Sequence, residues 1–172
     1  MPAPLNFFKE RLRTFFVLYT TGQTIMSLTE DAIRQIFEHA VRTYPDECFG
    51  VVTGKGPEQT VHKCENIQNK IREKDPGRYT DSRTGYFVDR KKFDTIISAA
   101  ERRGEKVVAL YHSHPDIEAY FSSTDIEAQT VFGEPEFPEA LQIVVSVMNG
   151  KIHDMKRFKW DRDKRCFITL KS

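Results

Sequence analysis

Cysteine is scarce and unpaired in this 172-residue sequence: Cys48, Cys64 and Cys166 are the whole set, and no C-x-x-C pair occurs. An odd set without close pairs is not a disulfide framework, and structural thiolate-zinc clusters draw on paired cysteines. Such usage fits a reducing compartment. An excess of one charge is also missing. The 26 Lys and Arg against 25 Asp and Glu leave a formal charge of +1, so the chain has no general attraction for polyanions and nucleic acid is not an expected partner. Long apolar runs are lacking too. Nothing approaches the ~20 residues of a membrane-spanning helix. The run Phe15-Phe16-Val17-Leu18-Tyr19 has five residues with no A-x-A site after it, short of the about 7–15 of a secretory segment. A cytoplasmic protein without a membrane partner is expected. What the chain does have, 39% hydrophobic and 30% charged residues, is enough for one globular domain with a real core.

The first 25 residues stand apart. Leu5, Phe8, Leu12, Phe15 and Tyr19 recur at helical spacing with Lys9, Arg11 and Arg13 between them. Met26 is then followed by Ser27-Leu-Thr-Glu30, a capping-box pattern before an apolar-periodic stretch. This division favours a dispensable extension over residues 1–25, ahead of a docking or membrane-surface helix, and a functional domain over residues 26–172. In that domain, Ile33, Ile36, Phe37, Ala40 and Val41 predict a core helix over 28–43, closed before Pro45. Cys48–Thr53 and Thr60–Asn66 flank a Gly-Lys-Gly-Pro turn and predict a hairpin. Residues 67–85 are polar and predict a long loop, and Phe87-Val88 a short strand or entry turn. A second helix is expected from Asp89 to near Gly104, a buried central strand over 106–112 and a short helix over 123–131. Leu141–Met148 predicts another buried strand, Asn149-Gly150 a tight turn, and 151–160 with 165–170 the terminal strands. Strands and helices mixed on one core give an α/β (α+β) layered domain.

The chemistry concentrates in His112-Ser-His114-Pro, a short gap, and Ser122-x-x-Asp125. Side chains two apart on a strand share a face, so His112 and His114 can reach one ion. Pro115 is expected to end the strand, and Asp125 to return a carboxylate from the first turn of the next helix. Two imidazoles and a carboxylate form an open zinc site with a position left for water. Such a site still needs a proton carrier, and Glu47, ahead of the first strand of the hairpin, is the candidate general base. Ser122 could donate its hydroxyl to the oxyanion of a tetrahedral intermediate. Taken singly, each element has a plainer reading: H-x-H pairs arise by chance, Ser122-x-x-Asp125 is a variant capping box, and Glu47 is a surface acid. Their coincidence at fixed spacing carries the assignment.

The same residues resemble the JAMM (MPN+) metalloprotease motif, an upstream Glu, H-[ST]-H-P, about six residues and S-x-x-D. Glu47-Cys-Phe-Gly50, Asn66 and Tyr86-Phe-Val-Asp89 are similar to that family too, and the resemblance spans about residues 27–160. It implies a cytidine-deaminase-like fold, a mixed β-sheet sandwiched by helices. It implies one Zn2+ on His112, His114 and Asp125, with Glu47 as general base and Ser122 as oxyanion donor. It further implies a peptidase cutting a peptide or isopeptide bond after the terminal Gly-Gly of a ubiquitin-like or sulfur carrier protein, like the short prokaryotic members. Arg72, Arg78 and Arg83, in the 67–85 loop, could grip a substrate tail. The alternative is a catalytically idle scaffold or interaction module of the same fold.

Other chemistries have weaker support. A zinc deaminase needs H-x-E and P-C-x-x-C, and neither occurs. A Cys48–His nucleophile is a minor rival. His39, His62 and His153 lack partners at metal spacing, and Cys48, Cys64 and Trp160 are expected to pack.

Overall fold

A computed structural model describes residues 27–171. The extension proposed for residues 1–25 lies outside the described residues. Helix α1, Glu30–Thr43, starts where the capping signal predicts, with the Thr29 hydroxyl accepting from the Ala32 N–H at 3.1 Å. Its stripe of Ala32, Ile36 and Ala40 is buried. Strands β1 (Phe49–Lys55) and β2 (Glu58–Cys64) form the expected antiparallel hairpin.

The polar stretch 67–85 departs from expectation. It is not all loop but carries a two-turn helix, α2, Gln68–Lys74. This helix has no side-chain N-cap and buries only Gln68. Its tie to the body is polar: Gln68 donates from Nε2 to the Thr80 carbonyl at 3.0 Å, and Asn69 donates to the Ser82 hydroxyl at 2.7 Å. Phe87-Val88 forms no strand. Helix α3, Arg90–Arg102, is capped by the Asp89 carboxylate on the Lys91 and Lys92 N–H groups.

Strand β3, Lys106–Pro115, is buried from Val108 to His114. It runs through Pro115 rather than stopping before it, and the chain turns at Asp116, whose φ is 56°. Helix α4, Ser123–Gln129, is two residues shorter than expected. Thr130–Val131 (β4) and Glu134–Pro135 (β5) instead pair as a small hairpin. Strands β6 (Leu141–Met148), β7 (Lys151–Asp161) and β8 (Cys166–Thr169) complete a six-stranded sheet in the order β2-β1-β3-β6-β7-β8. The β3–β6 pair is parallel and the others are antiparallel.

The two faces have separate cores. On one face α1 covers Val52, Tyr111, Ile143 and Val145. On the other, Phe93 of α3 packs on Phe49, Val51 and Leu110, and a satellite cluster joins Ala119, Val144 and Phe158 to Phe121 and Phe167. The result is a mixed α+β layered fold with helices on both sides of a mixed sheet. Trp160 packs edge-on to Phe167, with ring centroids 5.0 Å apart. Cys48 and Cys64 are buried free thiols. Among the described residues no helix is long and apolar enough to cross a membrane.

Candidate metal centre

The site grows from alternation on β3. Phe49 lies opposite His112, and Val144 lies beside it on β6, so beyond the bulge near Val108 the side chains of Leu110, His112 and His114 face the α3–α4 layer. His112 and His114 therefore point the same way, at the carboxyl end of a parallel strand pair, a place where α/β folds commonly bind ligands. Ser113 points to the other face. Its hydroxyl accepts from the Cys48 N–H at 2.8 Å, and its own N–H donates to the Cys48 carbonyl at 3.1 Å. These bonds fasten the segment that carries Glu47 alongside the strand that carries His112 and His114.

Asp125 arrives from the first turn of α4, held by a reciprocal cap. The Ser122 hydroxyl accepts from the Asp125 N–H at 3.1 Å, and the Ser122 N–H donates to Asp125 Oδ2 at 2.8 Å. The three side chains then converge. Nε2 of His112 is 3.2 Å from Nε2 of His114 and 3.2 Å from Oδ1 of Asp125, and His114 Nε2 is 3.6 Å from Oδ2. A tetrahedral ion about 2.0–2.1 Å from each donor would separate the donors by roughly 3.3 Å. The spacing thus fits a small tetrahedral cation, and all three residues are buried. The His114 ring is oriented to ligate through Nε2. Its Nδ1 lies 3.1 Å from the Glu118 carbonyl, so Nδ1 carries the proton and Nε2 keeps its lone pair. Burial holds the His112 imidazole below the usual histidine range, in its neutral, ligating form. Burial acts to raise the Asp125 carboxyl, but the His112 and His114 rings against it and the hydrogen bond from Ser122 outweigh burial and hold it below the usual carboxylate range.

Glu47 is buried, with 5% of its surface exposed. Burial, followed by the charge of Asp125, pushes its carboxyl up to about 9. Ser122 donates its hydroxyl proton to Asp125 Oδ2 at 2.6 Å. That places Ser122 within the cap and against the Asp125 carboxylate. The loop arginines separate: Arg72 and Arg83 line one cavity of about 520 Å³ together with Asp46 and Ser82, whereas Arg78 sits over the Tyr79 ring at 5.5 Å.

The histidines without metal spacing have other work. His39 Nδ1 lies 2.8 Å from the Tyr111 hydroxyl, and His62 Nε2 lies 2.9 Å from the Thr53 hydroxyl. Burial pushes the Cys48 thiol up to about 12, which leaves no thiolate for nucleophilic attack. One wall of the site has no counterpart among the residues that spacing singles out. Tyr86 tilts against His112 with ring centroids 5.2 Å apart and stacks on Phe49 at 4.7 Å. Its hydroxyl accepts from Gln129 Nε2 at 2.9 Å, one turn beyond Asp125 on α4. Its only signal in the sequence is the Tyr86-Phe-Val-Asp89 likeness.

A mixed sheet with two histidines and an aspartate gathered at the end of a central strand is a place where a metal ion could be held. The family model for prokaryotic homologs of the JAB domain matches residues 29–161, and the chain belongs to that family. It is 28% identical over 135 residues to the CysO-cysteine peptidase of Mycobacterium tuberculosis, covering 78% of this chain and 82% of the relative. It is 31% identical over 106 residues to the desampylase of Haloferax volcanii, covering 59% and 70%. Its backbone is similar to a solution structure from Salinibacter ruber, with TM-score 0.53, 26% identity and 83% and 87% of the two chains covered. A second solution structure, from Desulfitobacterium hafniense, has TM-score 0.59, 18% identity and the same coverage, and shares the fold. Both of these curated relatives carry names that describe peptidase or deconjugating activity.

Proposed function

We propose that the protein is a zinc-dependent peptidase that hydrolyses a peptide or isopeptide bond after the C-terminal Gly-Gly of a ubiquitin-like or sulfur carrier protein. The observation that carries the reading is the convergence of His112, His114 and Asp125 at tetrahedral donor spacing, near a buried carboxylate, Glu47, whose protonation responds to Asp125. The peptidase names of the mycobacterial and haloarchaeal relatives support the substrate class. Zinc, when bound there, would supply Lewis acidity, polarising a carbonyl and acidifying water.

The protein's own residues do the rest. Glu47 takes a proton from the attacking water and returns it to the leaving amine. Its burial sets its affinity for protons high, so it can hold the proton taken from water until the amine leaves. Ser122 turns its hydroxyl from Asp125 Oδ2 to the developing oxyanion, while Oδ2 keeps the hydrogen bond from the Ser122 N–H. Tyr86 and Phe121, both in ring contact with His112, wall the site against solvent. The domain carrying this activity is residues 26–172, with residues 1–25 a dispensable extension, and the protein works in the cytoplasm.

The test compares wild type with Glu47→Gln on ubiquitin-like fusions extended beyond Gly-Gly. Both proteins should bind one zinc. Turnover by the variant should fall by about 10²–10⁴-fold, and chelation should abolish wild-type turnover until zinc is restored. Normal turnover by Glu47→Gln would mean that Glu47 is not the proton carrier. Full biological function in that variant favours the scaffold reading.

A further inference from the structure

We propose that Tyr44 and Asp116 form a positioning bracket that sets Glu47 against the metal-ligand strand; the inference rests on Glu47 being the general base. Asp116 follows the His112-Ser-His114-Pro115 run and adopts the left-handed conformation, with φ of 56°. Two bonds pin it to the neighbouring strand and turn. Its N–H donates to the Val147 carbonyl at 2.8 Å, and its Oδ1 accepts from the Asn149 N–H at 2.9 Å. The second carboxylate oxygen is thereby aimed outward, and Oδ2 accepts from the Tyr44 hydroxyl at 2.8 Å.

Tyr44 is the residue at which α1 ends, and Glu47 lies three residues beyond it. Glu47 is also held from the side away from β3, its carbonyl accepting from Asn66 Nδ2 at 2.9 Å. Asp46 N–H bonds only locally, to the Thr43 carbonyl, and Glu47 N–H donates to Ser82, in the polar segment that follows α2. The direct links from this segment to β3 and its end are the Cys48–Ser113 pair and the Tyr44–Asp116 bond. One lies immediately after Glu47 and the other before it, so the base is held from both sides relative to His112 and His114. The Tyr44 ring packs against the α1-side core and lies next to Gly150. Removing its hydroxyl therefore takes away the tie and leaves the ring in place.

Tyr44→Phe and Asp116→Gly test the bracket in the zinc-loaded full chain. Glycine adopts the left-handed backbone without strain and removes both carboxylate bonds. Amide hydrogen exchange is the first readout. Exchange at Glu47 and Cys48 should quicken about three- to tenfold in either variant, with Val144 and Val145 of β6 and zinc affinity within twofold of wild type. On a cleaved fusion, kcat should fall by a similar factor while KM stays within twofold. Unchanged exchange at Glu47 and Cys48 would overturn the bracket, as would equal quickening in β6, which marks general destabilisation. Faster local exchange with normal kcat would overturn the positioning role. The exchange arm needs no substrate, so it separates failure of the bracket from failure of the peptidase reading.

Discussion

A methyl group on Gly50 would stand 2.3 Å from both Cζ and Oη of Tyr111, directly across the β1–β3 pair. That contact is with the fully buried ring that precedes His112, and the ring is fixed by its 2.8 Å bond to His39. Gly50 is thus a requirement of close packing beside the ligand strand, not of backbone conformation. Gly50→Ala should destabilise by about 1–3 kcal/mol, the usual cost of overpacking. Thermal melting should show a fall of about 2–4 °C per kcal/mol for a chain of this size. An unchanged melting temperature would mean that the ring relocates without cost. At the same scale, residue types and spacing were enough to single out His112, His114 and Asp125, which the structure brings together. The H-x-H alternation and the capping position of Asp125 are local rules, and local rules survive folding.

At the scale of elements, α4 is the part whose position matters most, because its N-terminus both starts the helix and delivers the Asp125 carboxylate to the two histidines. Ser122→Ala removes the hydroxyl that caps the Asp125 N–H and steadies its carboxylate. The expected cost is about 1 kcal/mol of stability and a zinc affinity weakened about 10–100-fold, as for other groups that orient a ligand. Competition titration against a chromophoric chelator reads the second quantity. Wild-type affinity in Ser122→Ala would show that Asp125 needs no such support. The main helices and strands were legible because each carries a stripe or alternation set by burial. Helix α2 was not. Its residues Gln68–Lys74 lack an apolar stripe and a side-chain cap, and hydrogen bonds to Thr80 and Ser82 hold it down. The β4–β5 hairpin was hidden for a different reason: each strand has two residues, and its turn places Phe132 at φ 53°, an unfavourable geometry for a bulky side chain. The Tyr44–Asp116 bond joins residues 72 apart and leaves no periodic trace.

For the whole molecule, His112, His114 and Asp125 converge only when β3 and α4 are both folded in place, so metal binding should stabilise the fold. Free zinc at a hundredfold excess over its dissociation constant adds about 2.7 kcal/mol, read as a raised melting temperature that chelator reverses. Acid should act in a defined window. Burial, followed by Lys63 and Arg42, lowers the His39 imidazole from 6.5 to about 4 in the fold. Between these values the unfolded chain takes up the proton and the native chain does not. The stability His39 contributes is therefore complete above pH 6.5 and is lost as pH falls toward about 4. Glu47 acts in the opposite direction, since its carboxyl is raised by burial from 4.5 to about 9. The His39 effect is accordingly read as the difference between wild type and His39→Gln in metal-free protein. The gap between their melting temperatures should change across pH 6.5 to 4, and a constant gap would contradict the assignment. Zinc-dependent cleavage after Gly-Gly is decided by mass spectrometry of a ubiquitin-like or sulfur carrier fusion incubated with the zinc-loaded protein. Wild type should release one product ending at Gly-Gly, absent with chelator or with Glu47→Gln. An intact fusion after incubation with zinc-loaded wild type, or the same product from Glu47→Gln at the wild-type rate, would refute that activity or its proton carrier.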